Sequence, residues 1–217
     1  MKTFPLPLLP VLALALLLPL ASAQTRQSGA RWDEIYQGSA VKVPVNPSTL
    51  VLETTANLPT GLALDIGMGN GRNAVYLARK GWKVTGIDVS REAIKQAQTA
   101  AGKVGATIEA NVARFEDIPP YRGRYDLILC MYVSNVATRN ATKIIDMLKP
   151  GGILIVEGPH VDARTLPGQD GYKTNELLRS FGRLRVLRYE DRTIQAEWAT
   201  TADGRSPTVR LVAQKVK

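Results

Sequence analysis

One cysteine and one histidine occur among the 217 residues, Cys130 and His160. A single thiol closes no internal disulfide, so cysteine usage lends no support to an oxidising compartment. One imidazole and one thiol cannot build a site of several Cys and His ligands, so no zinc or other metal centre is expected. Cys130 stands inside the apolar run Leu127-Ile128-Leu129-Cys130-Met131, where a buried structural thiol is expected. There is no internal repeat and no low-complexity segment after the first two dozen residues. The basic residues outnumber the acidic ones, with a formal net charge of +9. They are scattered rather than clustered, which reads as a solvated surface, with weak attraction to an anionic partner as the alternative. Hydrophobic residues make up 45% of the chain, enough for a full core and too many for wholesale disorder.

The N-terminus is read apart from the fold. Lys2 supplies a short positive region, Leu6 to Leu20 is an apolar run, and Ala21-Ser22-Ala23 places small residues where a signal peptidase reads them. Pro7, Pro10 and Pro19 interrupt the run, which is short for a membrane span of about 20 residues. Residues 1–23 are therefore expected to be a cleaved signal peptide, giving an exported protein, periplasmic or secreted, with no stable membrane span. The alternatives are a retained anchor, or a misassigned start codon on a cytoplasmic protein. Residues 24–60 form an N-terminal helical segment, with a short helix around Arg31 to Tyr36, a turned or extended stretch from Val41 to Pro47, and a helix from Ser48 to about Asn57.

From Leu62 strands and helices alternate. Strands are expected at Leu62–Ile66, Lys83–Ile87, Thr107–Ala110, Tyr125–Tyr132 and Ile153–Glu157. Helices are expected at Asn73–Lys80, Ser90–Gly102, Ala141–Leu148 and Thr174–Phe181. Ser90 is a suitable N-cap, and the near-continuous apolar fourth strand suits burial on both faces. Leu184–Glu190, Ile194–Ala199 and Thr208–Gln214 are strand-like, with short turns between them. The pattern predicts, over residues 61–217, an α/β domain with a mostly parallel sheet and an antiparallel C-terminal edge.

The chemistry concentrates at Leu64-Asp65-Ile66-Gly67-Met68-Gly69-Asn70-Gly71-Arg72-Asn73, between a strand and a helix. Glycines at every second position let the backbone turn sharply and let a ligand lie against it. A second acid, Asp88, closes the next strand, where such folds reach the two ribose hydroxyls of a nucleoside. A dinucleotide would set its pyrophosphate on this turn, but Asp65 stands two residues before the first glycine and would repel it. The spacing is also G-x-G-x-G rather than G-x-G-x-x-G. S-adenosylmethionine carries a ribose, an adenine and an ammonium, without phosphate, and fits both acids.

Ala63 to Ala78, with Gly81-Trp82-Lys83-Val84-Thr85-Gly86-Ile87-Asp88-Val89-Ser90, resembles the first two motifs of the class I S-adenosylmethionine-dependent methyltransferases. Small bacterial members akin to the tellurite-resistance methyltransferases are the nearest in kind. Tyr125-Asp126-Leu127-Ile128-Leu129 resembles the fourth-strand motif, and Leu148-Lys149-Pro150-Gly151-Gly152-Ile153-Leu154 the turn and strand that follow. The resemblance covers roughly Gly61 to Glu157 and implies a Rossmann-like sandwich with a seven-stranded sheet.

It also implies roles. Asp65, Gly67, Gly69 and Gly71 would line the methionine portion, with Met68, Asn70 and Arg72 in the same loop. Asp88 would hold the ribose, and Val89 would lie against the adenine. Arg114, Phe115 and Glu116 belong to the adenine-reading segment, where the usual acidic residue aligns with Arg114 or Asn111, so Glu116 or Asp117 would have to replace it. Met131 and Tyr132 end the fourth strand, where the methyl group emerges. Relatives that methylate nucleobase amino groups often carry Asn/Asp-Pro-Pro-Tyr/Phe there. Cys130-Met131-Tyr132-Val133-Ser134-Asn135 departs from that, which argues against nucleic acid and for a small-molecule acceptor.

His160 follows the fifth strand, at the end that faces the crevice in such sheets. It is either a general base for a hydroxyl or thiol acceptor or a loop histidine that shapes the rim. Trp32 and Tyr36 either form a lid over the cofactor or pack elsewhere. Two further readings stay open: an exported cofactor-binding domain of this fold without turnover, and a nicotinamide-dependent oxidoreductase.

Overall fold

The structure, a computed structural model, describes residues 20–163 and 170–216, with side chains described from Gly29 onward. The leader read over residues 1–23 falls almost wholly outside them. In chain order the elements are α1 (Leu20–Gln37), α2 (Thr49–Thr55), β1 (Leu62–Ile66), α3 (Arg72–Arg79), β2 (Lys83–Asp88), α4 (Arg91–Lys103) and β3 (Glu109–Val112). A 3-10 turn at Phe115–Asp117 leads to β4 (Tyr125–Met131), α5 (Ser134–Arg139), α6 (Ala141–Met147), β5 (Leu148–Pro159), α7 (Glu176–Ser180), β6 (Arg185–Gln195) and β7 (Arg205–Gln214).

The strands form one seven-stranded sheet in the order β3-β2-β1-β4-β5-β7-β6. All pairings are parallel except those of β7, which runs antiparallel to both β5 and β6. The expected Rossmann-like α/β sandwich with an antiparallel edge is what the chain forms. From β1 the chain winds outward through β2 and β3, then crosses back to place β4 on the other side of β1. That reversal opens a crevice at the carboxyl ends of β1 and β4, the place where open α/β sheets bind ligands.

The alternation of side chains along each strand builds two cores. Leu64, Ile66, Ile128, Cys130, Leu154 and Val156 face one layer, together with Ile144, Met147 and Leu177 from the later helices. Ala63, Leu127, Leu129, Met131, Ile153 and Ile155 face the other, with Leu50, Val51, Ala74, Leu77, Ile94 and Ala97. Residues 127 to 130 of β4 are wholly buried. Each large apolar side chain there contributes about 1.5–3 kcal/mol relative to exposure. The Cys130 thiol lies in this layer, and burial pushes its pKa far up, so it is an inert packing group.

Several boundaries differ from the sequence expectation. The helix around Arg31 to Tyr36 is the end of the longer α1. Asp33 draws it onto the main domain by accepting from Ser90 Oγ at 2.6 Å and from the Glu92 amide at 3.0 Å. Ser90 caps α4 as expected, its Oγ accepting from the Ala93 amide at 3.0 Å. The turn Lys149 to Gly152 is absorbed into β5 as an irregularity in its register with β4. Leu184–Glu190 and Ile194–Ala199 were expected as separate strands. The first runs straight on to Gln195 as the single strand β6, and Ala196 to Ala199 leave the sheet.

Candidate active site

The glycine turn joins β1 to α3, and Gly67, Gly69 and Gly71 have φ of 68°, 57° and 78°. Glycine adopts this left-handed region without the Cβ penalty of other residues. A Cβ added to Gly86 would fall 1.9 Å from Met68 Sδ, so the bare glycine of β2 is what seats the Met68 side chain. The turn borders a cavity of about 360 Å³ at the crevice.

Of the residues expected at a cofactor, Gly67, Met68, Gly69, Asn70, Arg72, Asp88, Val89, Arg114, Phe115, Glu116 and Met131 all line this cavity. Gly71 and Asp65 do not. Gly71 faces α4, where an added Cβ would meet the Ala97 methyl at 2.7 Å. Asp65 sits one residue behind the wall, 1% exposed, and neither carboxylate oxygen has a hydrogen-bond partner. Burial raises its pKa to about 7, the Arg72 charge opposes the rise and the Asp88 charge adds to it. Such an orphaned acid has an unmet demand for a donor, and an ammonium group would meet it. Asp88 is organised differently: Oδ2 accepts from the Gly69 amide and Oδ1 from the Ser90 amide, both at 2.9 Å. Burial raises its pKa, and these amides pull it down. Each oxygen retains a lone pair for a hydroxyl donor. Two such acids beside the glycine turn are of the kind that a cofactor with an ammonium and a ribose, S-adenosylmethionine, calls for.

Side chains of the loop tie the N-terminal segment down. Asn70 Nδ2 donates to the Pro44 carbonyl, and Arg72 Nη1 to that of Asn46, both at 2.9 Å. Arg72 Nη2 lies 2.5 Å from Glu197 Oε2. On the wall that follows β3, Phe115 is buried beneath the Lys143 ammonium, 4.5 Å from the ring centroid. Glu116 pairs with Arg114 at 3.4 Å.

Aromatic rings form a second wall. Trp32 and Tyr36 of α1 both line the cavity, which favours the lid over packing elsewhere. Trp198, from the loop after β6, has ring centroids 6.5 Å from Trp32 and 6.3 Å from Tyr132. The Tyr36 hydroxyl occupies the space that a Cβ on Gly69 would need. Tyr132 has φ of 60°, its amide donates to the Glu157 carbonyl, and its hydroxyl donates to Glu157 Oε1 at 2.8 Å.

His160 is placed outside the lining of this cavity. Its Nε2 lies 3.1 Å from Thr174 Oγ1, and its Nδ1 accepts from the Asp162 amide at 3.2 Å. Both ring nitrogens are thus taken by the loop that follows β5. Sequence reasoning missed Trp198, Glu197 and the partnership of Tyr132 with Glu157. No local spacing marks them: Glu197 and Trp198 reach the site only when β6 and β7 close the sheet, and Tyr132 meets Glu157 only when β4 pairs with β5. Among the described residues no group of three or more His, Cys, Asp or Glu is placed to hold a metal ion.

The strand order, reversed at β1 and β4, and the antiparallel last strand together define the class I methyltransferase fold. Comparison with known proteins agrees. Residues 63–152 match the family described as a methyltransferase domain, and that part of the chain is a methyltransferase domain. It is 30% identical over 128 residues to the ribosomal protein L11 methyltransferase of Geobacter metallireducens, covering 58% of this chain and 42% of that protein. It is 29% identical over 119 residues to the ubiquinone biosynthesis O-methyltransferase of Marinobacter nauticus, covering 52% of this chain and 50% of that protein. The chain thus spans half or less of the length of these curated relatives. The crystal structure of TehB from Haemophilus influenzae superposes with a TM-score of 0.68 at 19% identity, covering 86% of this chain and 66% of that one. That likeness in fold is in line with the resemblance read from the motifs.

Proposed function

We propose that this protein transfers the methyl group of S-adenosylmethionine directly to a small-molecule acceptor. The observation that carries the reading is the pair of carboxylates flanking the glycine turn: Asp65 buried without a partner, Asp88 held by two amides. The sulfonium, when bound, supplies an activated methyl group. The chain's own residues bind, orient and exclude water. Asp65 takes the ammonium, Asp88 the ribose hydroxyls, and Val89 and Phe115 the adenine faces. Trp32, Tyr36 and Trp198 shield the cavity from solvent, which favours direct transfer over loss of the methyl group to water. A crevice of about 360 Å³ supports a small acceptor rather than nucleic acid.

Isothermal titration of the purified chain with S-adenosylhomocysteine tests the reading. Micromolar binding that Asp88→Ala abolishes is expected. No heat and no thermal shift with either form of the cofactor overturns it.

We further read residues 1–23 as an export signal, motivated by the apolar run that ends at Ala21-Ser22-Ala23. Sequencing the mature N-terminus of a C-terminally tagged protein tests it, with Gln24 as the expected first residue. Because S-adenosylmethionine is made in the cytosol, export favours a second reading in which the domain binds the cofactor without turnover. Binding without methylation of any compound in a broad acceptor panel would distinguish that reading.

A further inference from the structure

The aromatic wall has a chemistry that the cofactor does not use. Trp32 and Trp198 are half-buried, set edge to face at 86°, and retain ring surface toward the cavity they line. Trp198 also meets Tyr132 at 50°. The guanidinium whose charge reaches Tyr36 and Tyr132 is that of Arg72, already engaged by Glu197 and the Asn46 carbonyl. A wall of this kind takes a flat ring, because aromatic faces and edges stack with one another.

Behind the wall runs a buried polar chain. The Tyr132 hydroxyl donates to Glu157 Oε1 at 2.8 Å, and Glu157 is 0% exposed. Glu157 Oε2 lies 2.7 Å from Arg210 Nε, and Arg210 Nη1 lies 3.9 Å from Glu190 Oε2. The row follows the register across β5, β7 and β6, in which Glu157 pairs with Arg210 and Arg210 with Glu190. Tyr132 is held in the left-handed region, uncommon for a bulky residue, where strain collects at functional sites.

We propose that Trp32, Trp198 and Tyr132 form the acceptor subsite, that it takes an aromatic ring bearing a hydroxyl group, and that Tyr132 passes the hydroxyl proton to Glu157. As the acceptor oxygen forms its bond to the methyl carbon, the carbon–sulfur bond breaks and its electron pair stays on sulfur. The acceptor proton moves to Tyr132 Oη while the Tyr132 proton moves to Glu157 Oε1, leaving a methyl ether, a thioether and a neutral Glu157.

The groups facing Glu157 set its basicity. Burial raises its pKa, as does Glu197 of the loop after β6, while Arg210 of β7, the Tyr132 hydroxyl and Arg72 of α3 lower it. The net rise makes Glu157 a better proton acceptor than an ordinary carboxylate. Tyr132 is pushed well above the usual phenol range by burial and then by Glu157. It therefore passes a proton only while giving up its own.

This inference rests on the proposed cofactor site, so the full chain is first titrated with S-adenosylhomocysteine, and failure there overturns that site. The cofactor-loaded protein is then titrated with 2-naphthol and with its fully saturated analogue, decahydro-2-naphthol. Binding of 2-naphthol, at least tenfold tighter than the saturated alcohol, weakened at least tenfold by Trp198→Ala and restored by Trp198→Phe, is expected. No binding of 2-naphthol, or equal binding of the two, overturns the subsite while leaving the cofactor site standing. Methyl transfer to 2-naphthol tests the proton route. Tyr132→Phe keeps the ring and should lower kcat at least tenfold with KM unchanged. Glu157→Gln should remove the acid limb of the pH profile. Wild-type kcat in Tyr132→Phe, or no transfer by the wild-type protein, overturns the route.

Discussion

Arg72 Nη2 lies 2.5 Å from Glu197 Oε2, with the arginine side chain 7% exposed and the glutamate 17%. The first residue of the helix after the glycine turn thereby holds the loop that carries Trp198. The same guanidinium donates to the Asn46 carbonyl. One cation thus fastens both the N-terminal segment and the β6–β7 loop to the cofactor turn.

Glu197→Gln keeps the Oε1 contact with the Thr49 amide and removes the charge opposite Arg72. An ion pair in a mostly buried setting, in which Glu197 Oε2 makes no regular hydrogen bond, is worth about 1 kcal/mol. Urea denaturation should show a loss of that order. S-adenosylhomocysteine should leave faster in stopped-flow displacement, because the loop opens more often. An unchanged release rate would mean that the loop does not gate the cavity.

Asp65 gives the unliganded protein a distinctive pH dependence. Its folded pKa, about 7, lies above the ordinary carboxylate value of 3.8. Below pH 4 both folded and unfolded forms are protonated and the group contributes no penalty. Between about pH 4 and 7 the unfolded chain ionises first, so stability falls as pH rises, by up to ~4 kcal/mol in total. Denaturation midpoints across that window should decline in the wild-type protein and decline less in Asp65→Asn.

Binding should run the other way. An ammonium prefers the ionised Asp65, so the Kd for S-adenosylhomocysteine should rise as pH drops below 7, by up to about tenfold per unit. Titration calorimetry at pH 5.5 and 7.5 in two buffers of different ionisation heat would also detect the proton released on binding. Asp65→Asn should show weaker binding and no such release.

Asp88→Ala leaves the Gly69 and Ser90 amides without their acceptor. With two charge-assisted bonds lost, at about 1.5–3 kcal/mol each, the turn loses its anchor as well as its contact to ribose. Cofactor affinity should fall by at least about a hundredfold. Asp88→Asn keeps one amide acceptor and should fall less. Circular dichroism of both variants separates loss of binding from loss of fold.

Asp33→Ala removes the acceptor that links α1 to Ser90 Oγ and to the Glu92 amide. The cost to stability should be about 1 kcal/mol, the usual value of a capping interaction. Trp32 should become more accessible, read as greater quenching of tryptophan fluorescence by acrylamide. Equal quenching would separate α1 docking from this contact.

Much of the site was legible locally. The turn from Asp65 to Arg72, the acid Asp88 and the segment from Arg114 to Glu116 are contiguous motifs whose backbone conformation follows from their own residues. The cavity gathers all of them except Asp65 and Gly71. His160 illustrates the opposite case. Its position after β5 suggested a base in the crevice, but a side chain's direction depends on what the loop offers it, and Asp162 and Thr174 claim both nitrogens. The separate strand expected to begin at Ile194 failed for a related reason. Ile194 and Gln195 pair with Ser206 and Arg205, while Glu197 is drawn off by Arg72.

By itself the sequence determined the alternation of strands and helices, the doubly buried fourth strand and the glycine turn with its acids, because hydrophobic period and backbone freedom act over a few neighbouring residues. Tertiary structure alone decided which groups stand across the cavity from that turn. Trp198 meets Trp32, and Glu157 meets Arg210, because an antiparallel strand inserts between β5 and β6, while Glu157 meets Tyr132 through the parallel pairing of β4 with β5. Contacts made across strand register have no signature in the order of residues along the chain.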